Sequence, residues 1–227
     1  MNVAILQPSY IPWIGYFEQI ANVEKFVFYD DVQYTKNDWR NRNRIKTPQG
    51  ALWLTIPVSY KYKELINEVT AIPGWQKKHL KTIINYYHKA KYFDEIFPLF
   101  EKVILNEKKF LSEICIDIIK TISSYLEFKT KFYRSSEMNI SGDKNERLIN
   151  ICQELNAQLY YSGQSANSYI NVKKFQEKGI EVKFQNFNCV PYEQFYGEFI
   201  PYLSVLDLLF HCGKESRNII QKGVYGI

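Results

Sequence analysis

The sequence predicts an α/β fold with a mostly parallel sheet and a helical insertion, on three observations. The chain opens on a short apolar run that turns directly into helically spaced apolar residues. Strand-like segments recur near both ends of the 227 residues. Between them lies a continuous stretch of amphipathic helical patterns. Sheet-forming halves are therefore expected over 1–72 and 140–227, with a helical insert over 75–128, all inside one domain spanning 1–227.

Residues 3–6 (Val-Ala-Ile-Leu) read as a buried strand, and 15–23 as a helix carrying Tyr16, Phe17, Ile20 and Ala21 at helical spacing. The turn between them holds Gln7, Pro8, Tyr10, Pro12 and Trp13. A strand feeding a helix through a tight turn is the Rossmann-like unit that places ligands at the carboxyl edge of a sheet. A turn serving connection alone rarely carries so many prolines and aromatic rings, so this one is expected to line a site. A second strand, 25–32, ends in Asp30-Asp31. A basic polar segment follows over 36–46, then Thr47-Pro-Gln-Gly50, a turn by composition. Residues 52–58 and 68–72 read as further strands.

The helical insert divides into 75–92, with Leu80, Ile83, Ile84 and Tyr87 on one face, 94–105, and 108–128. The last carries a wide stripe of Phe110, Leu111, Ile114, Cys115, Ile118, Ile119 and Ile122, with Asn106 as its expected cap. Beyond it, Ser141 or Asp143 caps a helix reaching Leu155. Residues 158–162 and 181–185 are expected strands, around a short helix over 172–178 closed by Gly179. Ser204 caps a last apolar helix over 205–210.

Composition excludes some classes. No apolar run approaches the roughly 18 residues of a membrane span, and no basic leader precedes the first strand, so a cytoplasmic protein without integral membrane contact is expected. The net charge of +5 is modest and suits phosphate contact. Cys115, Cys152, Cys189 and Cys212 are scattered, and none pairs with His79, His88 or His211 at ligand spacing, so no metal is expected. Cys115 and Cys152 are expected to be buried thiols.

Several constellations can carry chemistry. Asp30 and Asp31 close the second strand, where a carboxylate can take a proton from an ammonium group. Alternation favours one of them, Asp30, facing the crevice. Lys36, Arg40, Arg42, Arg44 and Lys46, with Asn41 and Asn43 interleaved, can bind a diphosphate, and Trp39 or Tyr34 can stack on a base. His79 flanks the buried face of its helix and has the near-neutral imidazole suited to take a proton. Ser162, Gly163 and Tyr169, near Tyr160, Tyr161 and Tyr192, make a hydroxyl-rich rim that suits a sugar. No serine or cysteine stands in a nucleophile elbow, so direct attack without a covalent enzyme intermediate is expected.

The stretches Gln7-Pro-x-Tyr-x-Pro-Trp-x-Gly-Tyr-Phe17, Tyr29-Asp-Asp-Val-Gln-Tyr34, Trp39-Arg-Asn-Arg-Asn43 and Trp53-Leu-Thr-Ile-Pro-Val58 continue in Trp75-x-x-x-His79, Ser162-Gly163 and Leu203-Ser-Val-Leu-Asp207. Across them the chain resembles the WbqC-like family. Such proteins occur among genes for O-antigen and other surface-polysaccharide sugars. The resemblance implies tailoring of a nucleotide-linked amino-deoxy sugar, by acyl or aminoacyl (for instance glycyl) transfer to its amine. Asp30 and His79 are then candidates for proton transfer. Gln7, Tyr10, Trp13, Gly15, Tyr16, Asp31, Gln33, Lys36, Trp39, Arg40, Asn41, Arg42, Asn43, Ser162, Gly163 and Tyr169 are candidates for binding. The donor is left open as an activated acyl or aminoacyl group, a charged tRNA included. A weaker likeness links strand, Pro-rich turn and helix to HIGH-type nucleotidylyltransferases, which suggests adenylyl transfer or ATP-dependent ligation. The histidines of that motif are missing here. A sugar-nucleotide or RNA binding module is the non-enzymatic alternative.

Overall fold

The structure, a computed structural model, describes residues 1–223. In chain order its elements are β1 (Asn2–Leu6), α1 (Ile14–Ala21), β2 (Lys25–Phe28), β3 (Arg42–Thr47), β4 (Gly50–Thr55), β5 (Val58–Ser59) and β6 (Thr70–Ala71). Helices α2 (Trp75–Tyr87), α3 (Phe93–Ile104) and α4 (Leu111–Tyr125) follow, then β7 (Lys131–Arg134), α5 (Lys144–Glu154), β8 (Leu159–Ser162), α6 (Val172–Gln176), β9 (Glu181–Phe184), α7 (Val205–Cys212) and α8 (Ser216–Lys222).

The central sheet has five strands in the order β7-β2-β1-β8-β9, and every neighbouring pair is parallel. β1 is the middle strand. The chain builds outward from it to β2 and β7, then crosses back to add β8 and β9 on its other side, which is the Rossmann-like order. Parallel strands need cover on both faces, and the alternating side chains divide accordingly. Ala4, Phe26 and Phe28 pack with Phe17 and Ile20 of α1 and with the apolar faces of α2, α4 and α7. Val3, Ile5 and Val27 pack on the opposite side against Leu148, Ile151 and Cys152 of α5 and Phe175 of α6. Both Cys115 and Cys152 are buried.

Four local expectations change. β2 stops at Phe28, so Asp30 and Asp31 lie in the loop beyond it. The basic segment supplies a strand, β3, which pairs antiparallel with β4 in a separate ribbon closed by the 47–50 turn. Two elements, β7 and α8, have no counterpart in the sequence reading. β7 is a short edge strand with Phe132 stacked on Phe28 at 5.4 Å and Tyr133 packed on the opposite face of the sheet. Asn106 does not cap α4, which begins at Leu111 after Phe110. Of the two candidates before α5, Asp143 is the cap. It accepts from the backbone N–H of Asn145 and Glu146 while the Glu146 carboxylate reaches back to its own N–H. No described helix is long and apolar enough to cross a membrane.

Candidate functional site

An open cleft of about 640 Å³ lies at the carboxyl ends of the parallel strands. Its lining comes from the end of β1 (Ile5, Leu6, Gln7), from Tyr29 after β2, from Ser162–Ser165 after β8 and from Gln185 and Phe187 after β9. β1 and β8 are neighbours whose following segments leave in opposite directions, and such a switch point opens a crevice in doubly wound sheets. The volume lies in the range of small-molecule sites.

The β1–α1 turn forms one wall, and it is braced by side chains rather than by a glycine-rich fingerprint. Ile11 adopts φ 37°, a left-handed conformation that a β-branched residue rarely takes. Asn43 of β3 holds it there by donating to the carbonyls of Ile11 (2.9 Å) and Tyr10 (3.4 Å). Tyr16 Oη donates to the Gln7 carbonyl at 3.1 Å. The indole of Trp13 lies directly over Gly15, where an added Cβ would come within 2.1 Å of the ring. Only glycine admits that approach. Trp13 also meets Phe187 and Tyr202 edge-on, at 5.5 and 5.6 Å. Gly15→Ala should expel the indole and cost about 1–3 kcal/mol, as overpacking does. A lower melting midpoint with shifted tryptophan emission checks it.

Cations stand on two sides of the cleft. Arg40 donates to Ser9 Oγ at 2.6 Å and reaches Asp38 at 3.4 Å, and among the described residues its Nε has no partner. Trp39 beside it is 41% exposed, enough ring to receive a flat ligand. On the opposite rim the Lys144 ammonium sits 3.5 Å from the centre of the Tyr169 ring. The N-terminus of α1, which borders the same wall, has no side-chain cap, and its Tyr16 N–H is taken by the Trp13 carbonyl at 3.0 Å.

Amides and phenols cover the floor. Gln19 donates to Gln185 Oε1 at 3.0 Å, and Gln185 donates in turn to the Gly15 carbonyl at 2.7 Å and to Glu18. Glu18 is fully buried and also accepts from Tyr161 Oη at 2.7 Å. Burial raises its carboxyl above the usual range, while those hydrogen bonds and Lys183 pull the other way. Burial likewise pushes the phenols of Tyr16, Tyr29, Tyr160 and Tyr169 up, so they meet a ligand as O–H groups at neutral pH. Among the described lining residues none is a carboxylate or an imidazole.

The structure gathers Gln7, Trp13, Tyr16, Trp39, Arg40, Asn43, Ser162, Gly163 and Tyr169 around this cleft, and leaves the other expected residues outside its lining. Tyr10 is fully buried behind the wall, with Oη 2.8 Å from His79 Nδ1. His79 is buried too, and its Nε2 lies 3.1 Å from the Thr55 carbonyl. That carbonyl can only accept, so Nε2 carries the proton and Nδ1 accepts from Tyr10. Burial pulls the imidazole down to about 4, against the opposing pull of the Thr55 hydrogen bond.

Asp30 has no exposed surface and is held by Arg134, Ser135 and Ser136. Asp31 is paired with Arg147 and Ser135. Asn41 donates to the Ile56 carbonyl at 2.8 Å, and Gly15 acts beneath Trp13. Arg42 lies 4.4 Å over the Trp53 ring and donates to the Asn37 carbonyl. Gln33 bridges to Leu65, and Lys36 is exposed.

Gln19, Gln185, Ser9, Tyr29 and Lys144 are cleft residues that the sequence reading did not select. Two signals pointed to them. Gln185 ends an expected strand at its carboxyl edge, and Gln19 falls three residues after Tyr16, on the same helical face.

Sheet order and cleft together define a Rossmann-like α/β protein with an open crevice at its switch point. Within that class the chain belongs to the WbqC-like protein family, whose model matches residues 7–219. It is 42% identical over 226 residues, 97% of each chain, to uncharacterized protein Rv1507c of Mycobacterium tuberculosis. No solved structure gives a significant match.

Proposed function

We propose that the cleft binds a nucleotide-linked amino-deoxy sugar and that the protein transfers an acyl or aminoacyl group to the sugar amine, in the cytoplasm, for a surface polysaccharide such as O-antigen. The observation that carries this reading is the composition of the switch-point crevice. One wall carries Arg40, whose guanidinium suits a diphosphate. Trp13 and Trp39 offer rings to a base, and amides and phenols line the floor, as the hydroxyl and amino groups of a sugar require.

In this reading the amine attacks the carbonyl carbon of an activated donor. The new C–N bond forms as the bond from that carbon to the carrier oxygen breaks, and the departing oxygen takes the proton. The tyrosine hydroxyls and amides orient the reactants. Asp30 and His79 act on the scaffold behind the cleft, because their polar atoms are already engaged there.

A uridine- or thymidine-diphospho amino-sugar should raise the melting midpoint by mass action, in a salt-sensitive way. Arg40→Ala should weaken that binding by about 1.5–3 kcal/mol, the range for a hydrogen bond to a charged group. Arg42→Ala, which removes a residue stacked on Trp53, should change it little. Equal affinities in wild type and both variants would move the diphosphate elsewhere. ATP–pyrophosphate exchange should be absent, and robust exchange lost with Arg40 would favour adenylyl transfer instead.

A further inference from the structure

We propose that Gln19 is the group that recognises the ligand's amine, presenting its side-chain oxygen as an acceptor whose direction is set by Gln185 and Glu18. The proposal rests on the sugar-nucleotide reading and specifies which feature of the sugar the cleft selects.

The argument starts from a backbone carbonyl. Gln185 makes a 2.7 Å contact with the Gly15 oxygen, which can only accept, so the Gln185 amide nitrogen must face it. That nitrogen also faces the Glu18 carboxylate, a second acceptor. Gln185 Oε1 is thereby turned toward Gln19, 3.0 Å away, and Gln19 must answer with its own nitrogen. One end of the Gln19 amide is fixed, and the other is fixed with it. Among the described residues Gln19 Oε1 has no donor, although the residue is only 2% exposed. Buried side-chain oxygens nearly always find a partner, so an orphan on a residue that lines a cleft marks the place of a ligand donor.

Glu18 adds to the same bias. Its two oxygens are committed to Gln185, Tyr161 and Asn22, so the relay runs in one direction only. An oxygen acceptor fixed this way favours a position that can donate, which in the proposed ligand is the amine, over one with no N–H or O–H to give.

Gly163, which lines the cleft, borders the nitrogen end of the same amide. Its φ of −64° and ψ of 150° suit any residue, and an added Cβ would have one neighbour within 4 Å, Gln19 Nε2 at 3.5 Å. Neither backbone conformation nor crowding by the protein requires glycine there. Open space beside Gln19 is what it preserves.

The test measures affinity for three probes: a uridine- or thymidine-diphospho amino-deoxy sugar, the matching deoxy sugar without the amine, and the nucleoside diphosphate alone. Wild-type protein should prefer the amino-sugar over the deoxy-sugar by tenfold or more. Gln19→Met keeps length and shape, and should abolish that preference while leaving nucleoside-diphosphate affinity unchanged. Gln185→Met leaves Gln19 in place but frees its amide to rotate, and should reduce the preference without abolishing binding. Gly163→Ala should fold as wild type and weaken the amino-sugar at least tenfold.

An undiminished preference in folded Gln19→Met and Gly163→Ala would overturn the assignment of Gln19 and leave the diphosphate site standing. Failure of wild type to bind any of the three probes would overturn the assignment and the sugar-nucleotide reading together.

Discussion

Asp30→Ala is expected to destabilise the protein by about 3–5 kcal/mol, the range for removing one partner of a buried ion pair. The carboxylate has no exposed surface, and its Oδ2 accepts from Arg134 Nε at 2.8 Å and Ser136 Oγ at 2.9 Å. Oδ1 accepts from Ser136 N–H at 3.1 Å, and the Asp30 N–H donates at 3.1 Å to Ser135 Oγ, whose own proton goes to Asp31. These contacts tie the loop after β2 to the end of the edge strand β7, and alanine would take the carboxylate acceptor from Arg134 and from both Ser136 donors. Arg134 is 24% exposed, so water softens its loss and places the effect toward the lower end of the range. Urea denaturation at neutral pH measures the change. Binding of a nucleotide ligand under native conditions should survive, because Asp30 does not line the cleft. A variant that melts like wild type but loses turnover would return Asp30 to a role in proton transfer.

The strengths and gaps of the sequence reading share a physical cause. β1, α1 and the turn between them were legible because a buried parallel strand is a pure apolar run and its helix keeps a clean 3.6-residue stripe. The carboxyl-edge position of Gln7, Ser162 and Gly163 followed from the same pattern. β7 was not legible, because at the sheet's edge Lys131-Phe-Tyr-Arg134 needs little apolar surface. Missing β7 also hid Arg134, Ser135 and Ser136, and so the partners of Asp30. A carboxylate at a strand end looks the same in sequence whether its partner is a ligand or an arginine more than a hundred residues away. The spacing of Arg40 and Arg42 suggested a joint clamp. Yet Arg42 enters the β3–β4 ribbon and stacks on Trp53, while Arg40 precedes the ribbon and borders the cleft. Local charge density does not carry that distinction, because it arises from strand pairing.

His79 should make stability depend on pH between about 6.5 and 4. Its folded pKa is pulled down to about 4 by burial, against about 6.5 for an unperturbed imidazole. Over that window the unfolded chain binds a proton that the folded chain refuses, so stability rises with pH. The contribution is therefore complete above about 6.5 and is lost as pH falls toward 4. A difference of about 2.5 pH units corresponds to about 3 kcal/mol. His79→Gln isolates it, because the amide can donate to the Thr55 carbonyl and accept from Tyr10 Oη as the imidazole does, yet does not titrate. Carboxylates elsewhere titrate in both proteins and cancel in the comparison. Denaturation at pH 7 and pH 4 should show wild type losing about 3 kcal/mol more than the variant between the two. Parallel losses would mean that the folded protein accepts the proton at an ordinary pH, which would free the imidazole for general-base chemistry. The expected divergence instead makes Tyr10–His79–Thr55 a neutral strut, joining the wall of the cleft to α2 and β4.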